Sequence, residues 1–414
     1  MAITEAFHLI AKPSGPICNL DCTYCFYTEK ESLFKKGTSF KMNDEVLEQF
    51  ILNYIHKQNT ELIPFVWQGG EPLLLGIDYY KKVLALQEKH RGNKKIHNSI
   101  QTNGTLLNED WAKFFKQHDF LVGLSMDGPD YIHDKYRVDR GQRTTFDKIY
   151  KGMKLLQKYD VPFNILVCIT NESLKYGPEI YRFFVDEGVK YIQFTPIVER
   201  VSSEQSLYLG LKHGLPPKLN TIDEQTTVSE FTVDAESYGD FLIQLFDIWV
   251  SEHVGDIFVL NFEHALVSWL GLPAVSCLFS VECGRAAMIE HNGDVYSCDH
   301  FMYPDYKLGN ILSDDLAIML DSHQQKTFGT QKKSSLPKQC LQCEVRFACN
   351  GECPKHRFLT TEDGEPGLNY LCKGYRKYFN YIHKYMKVMV QLIENDLPVS
   401  DIKQVIKGPL IVQK

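Results

Sequence analysis

From residue 7 to residue 195, short apolar runs alternate with longer amphipathic stretches. The runs at 7–10, 63–67, 96–101, 120–125, 163–169 and 191–195 have strand length. Between them apolar residues fall three and four apart, as in Val46, Phe50 and Tyr54 beside Leu47, Ile51 and Ile55. That spacing predicts an amphipathic helix, with Asn43 as its N-cap. Six such units predict an α/β chain whose parallel sheet is built by βαβ crossovers, a partial (β/α)6 barrel. The motif residues described below fall at the carboxyl ends of the strands, where barrel enzymes place their sites.

Residues 199–233 break this pattern. They are polar and turn-rich, and read as a long loop or insertion closing a unit at 1–233. A connecting helical segment at 234–276 carries Phe241, Leu242, Leu245, Phe246 and Trp249. The stretch 277–372 is cysteine-rich with weaker periodicity and predicts a second domain. At 373–414 an aromatic-rich amphipathic helix and a tail follow. No repeat with a solenoid period is present.

The 414 residues, 44% hydrophobic and 23% charged, suit an ordinary globular protein. A net charge of −7 argues against nucleic acid as a partner, because phosphate binding needs a basic patch. No apolar run is long enough to cross a bilayer, and the start lacks the basic and apolar regions of a secretory signal. These features predict a cytoplasmic protein with no membrane partner. Twelve cysteines in a reducing compartment then point to metal or redox chemistry rather than disulfides.

The thiols are not scattered. Cys18-x3-Cys22-x2-Cys25 supplies three ligands just after an apolar run. A four-iron cluster usually takes one thiolate per iron, so three leave one iron open for chemistry. Structural zinc wants four ligands, and no fourth Cys or His lies close by in sequence. The spacing and position resemble the signature of radical S-adenosylmethionine (SAM) enzymes. That resemblance implies a 4Fe-4S cluster on Cys18, Cys22 and Cys25, with SAM chelated by the open iron and cleaved to a 5′-deoxyadenosyl radical. Trp67-Gln-Gly-Gly-Glu-Pro72 follows the second strand and resembles the family's GGEP motif, which places Gly69, Gly70 and Glu71 at the SAM amine; a plain tight turn is the alternative. By the same resemblance Tyr24 lies alongside the cluster and SAM, and Ser125 (in GLSMDGP) and Arg137 (in HDKYR) contact the SAM carboxylate. Without it, Ser125 reads as a turn cap and Arg137 as a surface charge.

Eight further cysteines fall as Cys277-x5-Cys283-x14-Cys298, Cys340-x2-Cys343-x5-Cys349-x3-Cys353, and Cys372. This pattern resembles the SPASM extension of radical SAM enzymes that modify peptides. The resemblance, not the spacing, implies one 4Fe-4S cluster on Cys277, Cys283, Cys298 and Cys353 and another on Cys340, Cys343, Cys349 and Cys372. A pair of structural zinc sites is the rival reading. Cys168 remains, within an apolar run, and reads as a small buried hydrophobe.

Taken together, KPSGPICNLDCTYCFYTEKESLF, FVWQGGEPLLLG, IQTNGTLLNEDWAKFF, FLVGLSMDGPDYIHDKYRVDRG and YSCDHF resemble the anaerobic sulfatase-maturating enzymes over nearly the whole chain, least at 199–233. The resemblance implies oxidation of a cysteine or serine, in a C/S-x-P-x-R segment of an unfolded or nascent sulfatase, to Cα-formylglycine. It implies three 4Fe-4S clusters, SAM, and an electron donor such as flavodoxin or ferredoxin. Asp299, next to Cys298, matches the family's proton acceptor, and its alternative is a capping Asp. Tyr27 and Gln68 match positions lining the substrate pocket, or pack as ordinary residues. His300 is a second candidate base. Another SPASM peptide modifier, forming thioether or carbon–carbon crosslinks, is the runner-up, although the first motif begins at residue 18 and leaves no room for the usual N-terminal peptide-binding domain. A non-catalytic iron–sulfur electron carrier is the reading from a different class.

Overall fold

The computed structural model describes residues 5–223 and 226–406. Six strands, β1 (His8–Lys12), β2 (Leu62–Trp67), β3 (Lys95–Thr102), β4 (Leu121–Ser125), β5 (Phe163–Ile169) and β6 (Tyr191–Pro196), pair in parallel and in chain order. They match the predicted runs to within a residue or two. Helices Asp44–Lys57, Ile77–His90, Glu109–Gln117, Phe146–Lys158 and Gly177–Asp186 make the crossovers. Asn43 caps the first of them, its side chain accepting from Val46 N at 2.9 Å. The apolar face spaced three and four apart is buried in full. Phe50 and Tyr54 on that face meet Phe65 and Trp67 of β2 edge-on, with ring centroids 5.0 to 5.8 Å apart.

The sheet extends beyond the six. β7 (Phe258–Val259) adds after β6, and β8 (Ala286–Glu290) pairs in parallel with the other edge of β1, from His8 opposite Ala286 to Lys12 opposite Glu290. β9 (Asp294–Tyr296) and β10 (Lys307–Asn310) continue antiparallel. Strands of two to five residues are too short to show a repeat in sequence, so periodicity gave no sign of them. The chain before residue 199 and the cysteine-rich chain after 277 thus share one sheet.

The described residues of 199–233 contain one short helix, Glu204–Tyr208, closed by a Ser203–Ser206 capping box. The segment is tied to the turn after the first cysteines, where the Glu29 carboxylate accepts from Lys212 N at 2.6 Å and His213 N at 3.1 Å. Among the described residues no helix is long and apolar enough to cross a membrane.

The long helix Cys372–Glu394 packs across Ala235–Ile248. At the crossing a Cβ on Gly374 would stand 2.0 Å from Ala235 O, and one on Gly239 would stand 2.6 Å from Gly374 O. Backbone meets backbone there, and only glycine fits. Gly374→Ala should therefore cost about 2 kcal/mol or more in urea unfolding, at the upper end of overpacking penalties. An unchanged midpoint would show that the two helices separate freely.

Candidate functional site

A cavity of about 370 Å³ opens at the carboxyl ends of the strands. Cys18, Cys22 and Cys25 form one wall, with Tyr24 and Tyr27 of the same loop beside them. Gln68, Gly69 and Gly70 after β2, Ser125 at the end of β4, Arg137 and Asp299 complete the set brought together from distant parts of the sequence. Backbone contact fixes the glycines. Gly69 has φ of +145°, and a Cβ on Gly70 would fall 2.0 Å from Ile17 O. Gly70 N donates to Gly15 O at 2.8 Å, so the GG turn clamps the segment that leads into Cys18.

Glu71 stands apart from these. It does not line the cavity: it is fully buried, and its carboxylate accepts from Leu73 N (2.9 Å), Thr102 Oγ1 (2.8 Å) and Asn103 N (2.8 Å). Burial raises its pKa to about 7 despite these bonds. Glu71 braces the turn after β3, whose Asn103 Nδ2 lies 3.5 Å from Cys18 Sγ. Of the GGEP residues, Gly69 and Gly70 line the cavity, and the Glu71 side chain lies behind them.

Arg137 is likewise more committed than a lone cavity cation. Its Nε and Nη2 donate to the two oxygens of Asp127 at 2.8 and 3.1 Å. Asp127 also accepts from Tyr24 OH at 2.5 Å and from Cys168 N at 2.8 Å. One buried carboxylate therefore aligns the cluster loop, β5 and the arginine. Cys168 is no simple core hydrophobe, since it lines the cavity with its Sγ 3.6 Å from Arg137 Nη2.

Asp299 sits in the one-turn helix that follows Cys298, opposite the end of β1. Lys12 Nζ is 2.5 Å from its Oδ1, and Gln68 Nε2 donates to its Oδ2 at 3.2 Å. Burial alone would raise its pKa; the Lys12 ammonium, with His300, outweighs burial and holds the carboxyl below its ordinary value. His300 has its pKa lowered to about 4 by burial and the Lys355 cation, so its imidazole is neutral near pH 7 and a weak base. Tyr27 lies under Lys12, ring centroid 4.5 Å from Nζ, but its hydroxyl is given to the Glu290 carboxylate. Lys12, Glu290 and Asp127 carried no signal that spacing could show. A lysine ending an apolar strand, unusual for a buried position, was the available clue.

The donor sets suit iron–sulfur clusters. Burial, with Glu71 next, pushes the Cys18 thiol up to about 12, and burial raises Cys22 as well. Such thiols ionise when a metal centre supplies positive charge. Among the described residues no three His, Cys, Asp or Glu converge as a single metal ion would require; a four-iron cluster takes its thiolates at separate corners. Cys340, Cys343, Cys349 and Cys372 line a second cavity of about 250 Å³. Of the other four, Cys298 is raised by burial and then by Cys277, and Cys353 by burial and then by Glu352, Cys298 and Cys283, so these thiols are neighbours.

Models of known families match both parts: the Radical SAM superfamily over residues 13–184 and the SPASM iron–sulfur cluster-binding domain over 277–344. A serine-type anaerobic sulfatase-maturating enzyme of Bacteroides thetaiotaomicron is 43% identical over 99% of this chain and 97% of its own. A cysteine-type enzyme of Clostridium perfringens is 32% identical over 90% of this chain and 95% of its own. A solved structure, native anSMEcpe with bound AdoMet and Cp18Cys peptide, is similar with a TM-score of 0.80 at 31% identity, over 94% of this chain and 100% of that one. This chain belongs to the anaerobic sulfatase-maturating enzymes, radical SAM enzymes whose cofactors are iron–sulfur clusters and AdoMet.

Proposed function

We propose that the chain oxidises a serine or cysteine in the C/S-x-P-x-R segment of a sulfatase polypeptide to Cα-formylglycine, using three 4Fe-4S clusters. The observation that carries this reading is the Asp299 carboxylate, held by Lys12 and Gln68 in the same cavity that Cys18, Cys22 and Cys25 line. When bound, the clusters and SAM supply the radical that takes hydrogen from the substrate Cβ and the sink for a second electron. The side chains must then hold the peptide and remove one proton from its hydroxyl or thiol. Asp299 is the base: it is ionised, and with Lys12 at Oδ1 and Gln68 at Oδ2 its two oxygens keep lone pairs to accept a proton. Gln68 orients the carboxylate, and the Lys12–Tyr27–Glu290 stack keeps Lys12 in place. Tyr24, Ser125 and Arg137 are assigned to SAM, with Gly69 and Gly70 offering backbone groups. The more similar serine-type relatives, at 43% and 36% against 32% for the cysteine type, support serine as the residue oxidised.

Three outcomes are expected. Anaerobically reconstituted protein, given SAM, dithionite and a Ser-x-Pro-x-Arg peptide, should form 5′-deoxyadenosine and a peptide lighter by two hydrogen atoms, read by mass spectrometry. A Cys-x-Pro-x-Arg peptide converted in its place would reverse the preference, and neither peptide reacting would overturn the substrate assignment. Asp299→Asn should lower peptide oxidation about 100-fold or more while deoxyadenosine still forms, because only the proton acceptor is lost. Asp127→Asn removes the charge that aligns Arg137 and should weaken SAM binding about tenfold or more, measured by calorimetry on the reconstituted protein. Unaltered affinity would detach Arg137 from the cofactor.

A further inference from the structure

Two cations are buried among the C-terminal cysteines. Lys332 is fully buried on the helix His323–Ser334, and its Nζ donates to Cys277 O and Leu278 O, both at 2.7 Å. Arg357 is 1% exposed and donates to Gly351 O (2.8 Å), Lys332 O (2.5 Å), Asn350 O (2.8 Å) and Glu352 O (3.3 Å). Every described hydrogen bond of either cation ends on a backbone carbonyl. The nearby buried carboxylate, Glu352, is taken by His356 Nδ1 at 2.9 Å and Asn369 Nδ2 at 2.8 Å. A buried charge without a counter-charge costs several kcal/mol. Neutral thiols would leave that cost standing; thiolates on a cluster remove it.

We infer that Lys332 and Arg357 are the counter-charges of the two C-terminal clusters and hold their reduction potentials up. Lys332 serves the site of Cys277, Cys283, Cys298 and Cys353, next to Asp299. Arg357 is close enough to Cys340, Cys349 and Cys353, and to the Glu352 carboxylate, for each to favour its charged form. Adding an electron makes a cluster more negative, and a fixed cation at short range in a low dielectric favours that state. The site beside the substrate is thereby fitted to take an electron. This rests on the reading that the eight cysteines hold clusters, which the iron content and absorption of the unaltered protein check separately.

The test is an EPR-monitored redox titration of the full chain with Cys18, Cys22 and Cys25 changed to Ala, which leaves the C-terminal sites alone. Lys332→Gln still offers a donor to the carbonyls but carries no charge. It should make one of the two couples harder to reduce by about 59 mV or more, tenfold in the one-electron equilibrium, while Lys332→Arg stays near the parent. Both couples unmoved by Lys332→Gln would overturn the inference. If Lys332→Gln fails to assemble a site that Lys332→Arg assembles, the charge is required and the inference stands; if Lys332→Arg also fails, the residue acts by shape and the inference falls.

Discussion

The parallel pairing of β8 with β1 is the contact on which the site depends. β1 carries Lys12 at its carboxyl end and leads into the first cysteines, while β8 leads, through β9, to Cys298 and Asp299. Register decides which groups meet. With His8 opposite Ala286, Lys12 falls opposite Glu290, and the turn beyond β9 brings Asp299 back over Lys12. A slip by one residue would send Lys12 to the opposite face of the sheet. The meeting of Lys12 with Asp299 is thus a property of one strand pair, and the hydrogen bonds of a sheet fix it more firmly than loops could.

Around that pair the charges are arranged in opposites. Lys12 answers Asp299, Arg137 answers Asp127, and Tyr27 donates a hydrogen bond to Glu290. Such groups are costly to bury singly and tolerable in company. Their mutual fixation also means that few side chains are left to find their geometry when a peptide enters. Preorganised polar groups in a site shielded from water act more strongly than the same groups in solvent.

The sequence showed the parts whose meaning is local. Asn43 caps the helix it precedes, and the six strands follow from runs of apolar residues, because both depend on neighbours a few positions away. The cysteine motifs were legible for the same reason, as sets of ligands at short spacing. Lys12, Asp127 and Glu290 were not, since each takes its role from a partner brought close only by the fold. Cys168 was misread as core because an apolar run says nothing about what lies at the strand's open end, where this thiol faces the cavity. Glu71 shows what a motif leaves out: its carboxylate ties Thr102 and Asn103 of the turn after β3 behind the cavity wall, partners that its spacing does not reveal.

The same strand order has a bearing on synthesis. β1 is made before β2 to β7, yet its second neighbour, β8, is made only after them. During that interval the nascent sheet has an open edge carrying Phe7, Leu9 and Ala11, all buried in the finished molecule. Cys372, which completes the last cysteine set, emerges later still and is seated by a helix crossing that tolerates only glycine. Completion of that cysteine set and pairing of the β1 edge are therefore late events relative to β2 to β7, and a chain released before them would expose both a sticky strand and an incomplete set of thiols.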